Sequence, residues 1–414
     1  MDCDTPRAES APLPLDEALA RIAAAYGPVT GVESVPLARA YGRVLAEPVA
    51  AETDVPPAAV SAVDGYGYAA AAAVDEPLRL PVVGRVPAGS VFPGTVGTGQ
   101  AVRIFTGAPV PAGVDTVAMQ EDCRAADGIV TVGSPPPRGA NVRAAGEDMK
   151  AGAVVLTPGR RLRAQEIGLV AAVGRSALAV RRPLRVVLFS TGDELREPGT
   201  AKPAGAIYDA NRYTVGAQLA ALGVAVEDLG ILPDRPDAVR AALAAAAERA
   251  DLIITSGGVS VGEEDHVKGA VEALGSIDLW RLAIKPGKPL ALGRVGGAVF
   301  LGLPGNPVSA MVTFMLVGRP LVLRLAGADP TPVARCLVVA GFAFRRKPGR
   351  REFLRARLET GADGLPVARK FPNDSSGVLT SMVEADGLVD MPESADEIRE
   401  GDMVAFLPFT GLFG

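Results

Sequence analysis

The chain has 414 residues, 48% of them hydrophobic and 21% charged, a balance that packs a globular protein and excludes a disordered or acidic solvated chain. That length exceeds one ordinary core, so about three domains are expected, or four if some are small. A net charge of −5 provides no basic footprint for nucleic acid.

Met1 to Ser10 carry acids and no apolar run, so no signal or transit peptide is read there and the cytoplasm is the expected location. The longest apolar stretch, 308–325, is interrupted by Arg319 and Arg324 and is expected as a buried helix, so no membrane partner is expected. Cys3, Cys123 and Cys336 lie far apart and His266 is the only histidine, which removes zinc fingers, thiol pairs and Ser-His-Asp catalysis. Carboxylates, hydroxyls, lysine, arginine and backbone amides must carry any chemistry.

Leu15, Leu19, Ile22 and Tyr26 recur at helical spacing, with Gly27 expected as the left-handed stop. Residues 49–142 turn to short β-prone runs separated by Pro56-Pro57, Pro93-Gly94 and Pro135-Pro136-Pro137, as expected of an inserted β-rich domain. A helix over 163–173, stopped at Gly174, is expected to pack with the segment before the insertion.

From 184 to 327 the rhythm is strand, loop, helix. Strands are expected at 185–190, 224–231, 251–255 and 299–303, and helices at 213–222, 237–250, 266–274 and after Asn306. That alternation predicts a parallel, doubly wound sheet. After 330 short strands at hairpin spacing predict a small β-barrel or sandwich. The expected domains are 10–47 with 148–182, the insertion 48–147, the doubly wound body 183–328 and the barrel 329–414.

In doubly wound sheets ligands lie beyond the carboxyl ends of the strands, and the polar glycine-rich segments fall there. One strand runs into Ser190-Thr191-Gly192-Asp193-Glu194, another into Ser256-Gly257-Gly258-Val259-Ser260-Val261-Gly262. The second is the better anion cradle, because glycine allows close backbone approach and Ser256 and Ser260 can donate hydroxyl bonds; a tight turn with no ligand reads from the same residues. Pro304-Gly305-Asn306-Pro307-Val308-Ser309 begins a helix with Asn306 at the N-cap, a place for phosphate or for a cap alone.

Only seven of the 42 basic residues are lysine, and Lys285 and Lys288 bracket one Pro-Gly turn after Arg281, where compact charges can meet an anion or simply be solvated. Glu194, Asp234 and Asp265 fall at strand ends and offer hard oxygens suited to Mg²⁺, although Asp234 and Asp265 are equally good N-caps. Ser61-Ala62-Val63-Asp64-Gly65-Tyr66 and Gly146-Glu147-Asp148 read, by themselves, as turns.

Together with Arg103-Ile104-Phe105-Thr106-Gly107-Ala108-Pro109-Val110-Pro111, Met119-Gln120-Glu121, Tyr208-Asp209-Ala210-Asn211-Arg212 and Lys285-Pro286-Gly287-Lys288-Pro289, these segments resemble the molybdopterin molybdenumtransferase family, called MoeA in bacteria and matched by the E domain of gephyrin. The resemblance implies a molybdenum insertase: a homodimer of four-domain subunits that takes molybdate and adenylylated molybdopterin, releases AMP and uses Mg²⁺. It implies Asp64, Thr106, Asp148, Glu194, Arg281, Lys285 and Arg355 as catalytic, and Glu194, Asp234 and Asp265 as metal ligands. Ser190, Thr191, Gly192, Ser256, Gly257, Gly258, Ser260, Lys288, Pro304, Gly305, Asn306, Ser309 and Ser376 would bind the pterin nucleotide. The upstream adenylyltransferase and recipient molybdoenzymes are the implied partners. Departures are Pro57-Ala58-Ala59-Val60 before the first turn, Val63 and Gly67 within it, Arg281 where some members carry lysine, and Asn373-Asp374-Ser375-Ser376-Gly377, which follows the family's Gln-Gly-Ser pattern loosely. The competing readings are the adenylyltransferase itself and a scaffold that docks a partner on this fold.

Overall fold

A computed structural model describes residues 12–73, 76–258, 266–329 and 332–413. Its centre is a six-stranded sheet, in the order Ala225–Leu232, Arg185–Thr191, Leu252–Ser256, Ala298–Leu303, Pro289–Val295 and Gly275–Arg281. The first four strands are parallel. Their apolar runs, Val186 to Phe189 and Ile253 to Ile254 among them, are buried because helices cover both faces. Each such side chain contributes about 1.5–3 kcal/mol on leaving water.

The sheet is mixed, where the alternation predicted a parallel one. Gly275–Arg281 and Pro289–Val295 form an antiparallel hairpin on its edge. The Lys-Pro-Gly-Lys segment is the wide end of that hairpin, closed by the Leu282 amide on the Lys288 carbonyl at 2.7 Å. Its Ile284–Lys285 strand leaves the sheet and pairs in parallel with Arg351 and Glu352.

Those residues begin a closed five-stranded barrel, which decides between barrel and sandwich. Arg351–Thr360 pairs with both Pro366–Lys370 and Gly387–Met391, and Cys336–Ala340 and Met403–Pro408 complete the ring. No edge is left in the ring to recruit another chain.

Three helical expectations need correction. Helix Leu15–Ala25 buries Leu15, Ala18 and Ile22, but it ends at an extended Tyr26, and Gly27 is not left-handed. The chain leaves the helix there in β conformation. This helix also packs in the core that holds Leu321, Val322 and Leu412, between the central sheet and the barrel, rather than with 148–182. Asp234 does not cap its helix: Pro236–Ala247 follows Arg235 at the N-cap, with no side-chain capping bond, because Pro236 already sets the first helical turn.

The 19-residue helix Pro307–Leu325 is long and apolar enough to cross a membrane, yet 83% of its most apolar 18-residue stretch is buried inside the protein. Val35, Leu45, Val49, Met149, Leu162, Val170 and Val180 share one core, so segments before and after the insertion pack together. Helix Ala164–Ala172 lies in that core and is anchored by buried Glu166, which accepts from the Arg163 amide at 2.9 Å and its guanidinium at 2.7 Å. The insertion carries a second six-stranded sheet, centred on Gly65–Tyr68, Ala101–Ile104 and Leu78–Val86.

Candidate functional site

The four parallel strands end in register, with Thr191 beside Leu232, Ser190 beside Ser256 and Ser256 beside Leu303. Their polar loops therefore open on one side of the sheet. There they enclose a cavity of about 980 Å³ with the hairpin tip and the barrel. The volume sits at the upper end for a ligand pocket and suits an extended, two-part ligand.

Thr191, Gly192, Glu194 and Asp234 form one wall, and Gly257, Gly258, Pro304, Gly305, Asn306 and Ser309 form the floor. Lys285 and Lys288 come from the hairpin tip; Arg350, Asp374, Ser375 and Ser376 come from the barrel. Gly258 has φ +65, and a Cβ there would meet Val267 Cγ2 at 2.7 Å and Thr191 Oγ1 at 2.8 Å. No other residue brings the backbone this close to the neighbouring loop.

The floor is held by side chains placed far away in sequence. Asn211 Nδ2 donates to Ser256 Oγ at 2.8 Å and to the Gly305 carbonyl at 2.6 Å. Ser256 Oγ in turn donates to the Pro304 carbonyl at 3.3 Å, and the Gly257 amide donates to the Leu303 carbonyl at 3.2 Å. The Ser256 hydroxyl, expected to face a phosphate, thus turns inward. It lines a smaller chamber of about 110 Å³ behind the floor, with Ser190, which is 1% exposed. Asn306 sits at the N-cap as expected, yet its side chain makes no capping bond.

Lys285 Nζ lies 3.3 Å from Oε2 of Glu352, a carboxylate whose side chain is 5% exposed. Arg355, expected to meet anion, is buried and does not line the cavity. Its guanidinium donates to Ser381 Oγ at 3.1 Å and to the carbonyls of Asn373 at 3.0 Å and Ser375 at 3.4 Å. It holds the loop that presents Ser376, whose carbonyl accepts the Val308 amide at 3.0 Å.

Asp64, Thr106 and Asp148 belong to the insertion and its return and do not line this cavity. Asp64 Oδ1 accepts from the Thr106 amide at 2.8 Å and from its hydroxyl at 2.8 Å. These bonds, the amide first, hold the Asp64 carboxyl below its ordinary range. Asp148 is exposed and its amide donates to the Val55 carbonyl at 3.0 Å. Arg281 ends its strand outside the cavity wall, its carbonyl accepting the Leu13 amide at 2.7 Å. Ser260 and Asp265 lie outside the described residues.

Among the described residues no group of three or more His, Cys, Asp and Glu side chains could hold a metal ion. Glu194 and Asp234, two hard-oxygen donors on one cavity wall, fit Mg²⁺ because that ion takes one or two protein carboxylates and completes its shell with water and phosphate.

Residues missed from sequence are Asn211, Glu352 and Arg350. Asn211 lies inside a quoted motif without a role, and Arg350 follows a Pro-Gly turn that flags a loop. Glu352 sends no signal, since it meets Lys285 across 67 residues.

Residues 13–174 match the MoeA N-terminal region (domain I and II), 187–324 the probable molybdopterin binding domain and 338–409 the MoeA C-terminal region (domain IV). The chain belongs to the MoeA, or molybdopterin molybdenumtransferase, family. Among MoeA relatives, molybdopterin molybdenumtransferase of Haemophilus influenzae is 37% identical over 97% of this chain and 100% of its own. Molybdopterin molybdenumtransferase 2 of Mycobacterium tuberculosis H37Rv is 35% identical over 89% of this chain and 93% of its own. Two crystal structures of molybdopterin biosynthesis MoeA protein from Pyrococcus horikoshii superpose with TM-scores of 0.76 and 0.81 at 32% and 28% identity, each covering 96% of this chain and 99% of the other.

Proposed function

We propose that this MoeA-family chain is a molybdenum insertase of molybdenum cofactor biosynthesis, which places molybdate on the dithiolene of adenylylated molybdopterin and releases AMP. The observation that supports it is the convergence in one cavity of three glycine-bearing strand-end turns, at Gly192, Gly257-Gly258 and Gly305, with three cationic side chains and the carboxylates of Glu194, Asp234 and Asp374. The adenylylated pterin lies along the floor, its phosphates at the Gly257-Gly258 turn and the start of helix Pro307–Leu325, both of which line the cavity. Lys285, Lys288 and Arg350 face molybdate and the charge that develops as dithiolene sulfurs replace its oxygens.

Glu194 and Asp234 would hold Mg²⁺, which supplies charge neutralisation on phosphate oxygens while the pterin–AMP anhydride is cleaved by water. Glu352, 3.3 Å from its ammonium, aims Lys285 into the cavity. Positioning and charge neutralisation carry the rate, and little acid–base machinery is required. The chain acts in the cytoplasm as a homodimer in which Asp64, Thr106 and Asp148 of one subunit face the cavity of the other, receiving substrate from an adenylyltransferase and passing product to molybdoenzymes.

The test is a purified assay with adenylylated molybdopterin, molybdate and Mg²⁺. Coupled metal insertion and AMP release is expected, and AMP release without insertion rejects the proposal. Pyrophosphate from ATP and molybdopterin would instead mark an adenylyltransferase. Mixing inactive Asp64→Asn and Lys285→Ala proteins should restore activity that neither has alone, because one cavity in a mixed dimer is intact.

A further inference from the structure

The two turns that form the cavity floor follow neighbouring parallel strands, paired as far as Ser256 and Leu303, and beyond that ladder the Gly257 amide donates to the Leu303 carbonyl at 3.2 Å. Past the strand ends, side chains take over the link, and one primary amide touches both turns. Both hydrogens of Asn211 Nδ2 are engaged, one on Ser256 Oγ at 2.8 Å and one on the Gly305 carbonyl at 2.6 Å. Because Gly305 offers only an acceptor here, the nitrogen must face it, and the orientation of the amide is set by chemistry. Ser256 then has one lone pair occupied and its proton directed to the Pro304 carbonyl at 3.3 Å, which ties the second turn a second time.

Asn211 is itself prevented from moving. It opens helix Asn211–Ala221, and its neighbour Arg212 is 4% exposed and clamped by three acids. Arg212 donates to Asp209 Oδ2 just before the helix at 3.1 Å, to Glu197 at 2.6 Å and to Asp228, so two separate segments and the helix's own approach fix the backbone that carries Asn211. Such a clamp is more than a surface helix start needs.

We propose that Asn211 is a positioning residue that sets the spacing between the Ser256-Gly257-Gly258 turn and the Pro304-Gly305-Asn306 turn, and so the grip of the floor on a phosphate-bearing ligand. The identity of that ligand as a nucleotide rests on the function proposed above; the spacing role does not. Asn211→Ala removes both donors, and Asn211→Asp keeps the volume while setting a carboxylate against a carbonyl oxygen. Thr214→Ala is the control: its hydroxyl donates to the Ala210 carbonyl at 2.9 Å, so its loss loosens the same helix start and touches neither turn.

Hydrogen–deuterium exchange on the intact chain reads the spacing directly. Both Asn211 variants should raise exchange about tenfold in peptides covering 256–258 and 303–306, with strand Pro289–Val295 unchanged and Thr214→Ala behaving as the parent. Calorimetric titration with AMP should show affinity weakened about tenfold in both Asn211 variants and unchanged in Thr214→Ala. Parent-like exchange at both turns in Asn211→Ala and Asn211→Asp overturns the inference, as does an equal rise in Thr214→Ala, which would make the effect one of helix stability alone. A parent chain that binds no AMP while the exchange pattern holds counts against the nucleotide reading and leaves the spacing role standing.

Discussion

The Lys285 ammonium lies 3.3 Å from Glu352 Oε2, across the seam where the hairpin tip of the central sheet adds a parallel strand to the barrel. Lys285 is 39% exposed towards the cavity, while the Glu352 side chain is 5% exposed, so the pair has one face for ligand and one for the core. Lys285→Met should abolish insertion and also leave a buried carboxylate without its cation, a loss of about 1–3 kcal/mol. Adding Glu352→Gln should recover stability and not activity. Thermal unfolding and turnover of the two variants separate these contributions; recovery of both would mean that Lys285 acts only on the fold.

Arg355 offers a contrast, since its guanidinium serves the protein. Arg355→Met strips the Asn373 and Ser375 carbonyls and Ser381 Oγ of a donor, and at Ser381, the buried one of the three, that loss costs about 1–3 kcal/mol. A lowered melting temperature with a raised KM for the pterin substrate is expected, because the loop bearing Ser376 loses its anchor. Unchanged stability with activity lost would instead place Arg355 in contact with substrate.

Gly258→Ala and Gly128→Ala both put a side chain on left-handed backbone, at φ +65 and +78, at a cost of about 1 kcal/mol each. At Gly128 the new methyl meets nothing within 4 Å, whereas at Gly258 it strikes Val267 and Thr191. Similar denaturation shifts are expected from backbone strain, with only Gly258→Ala losing further stability and AMP binding. Equal AMP affinity in the two variants would remove the Gly258 turn from the floor.

The Arg163 side chain, followed in effect by its amide, holds the Glu166 carboxyl down to about 2 against the opposing effect of burial. A carboxyl depressed on folding stabilises the protein above its unfolded value, and that contribution is lost as pH falls from the ordinary 4.5 towards about 2. Glu166→Gln should therefore be less stable than the parent at neutral pH, with the difference shrinking across that window. A gap that stays constant with pH would refute the assignment.

The sheet's parallel core was legible because its strands are continuous apolar runs that end in glycine and polar residues, and the floor of the cavity follows from those ends. The antiparallel hairpin was not. Its strands flank a segment rich in proline and lysine, and local chemistry there says turn, while the pairing of Gly275 with Val295 is decided by the neighbouring strand. Asn211 and Glu352 were silent for a related reason: their partners lie 45, 94 and 67 residues away, and a lone polar residue carries no mark of a bond that only topology creates. Arg355 misled in the opposite way, because a conspicuous cation in a polar neighbourhood can as readily satisfy carbonyl groups as bind an anion.

The ring of the barrel closes only when Met403–Pro408 slots between Cys336–Ala340 and Gly387–Met391. During synthesis the two glycine turns are therefore complete long before their opposing wall. A nascent chain therefore owns the floor of its pocket before residues 403–408 have emerged to close the barrel that carries Arg350 and Ser376, and its ligand site is finished only with that last strand of the ring.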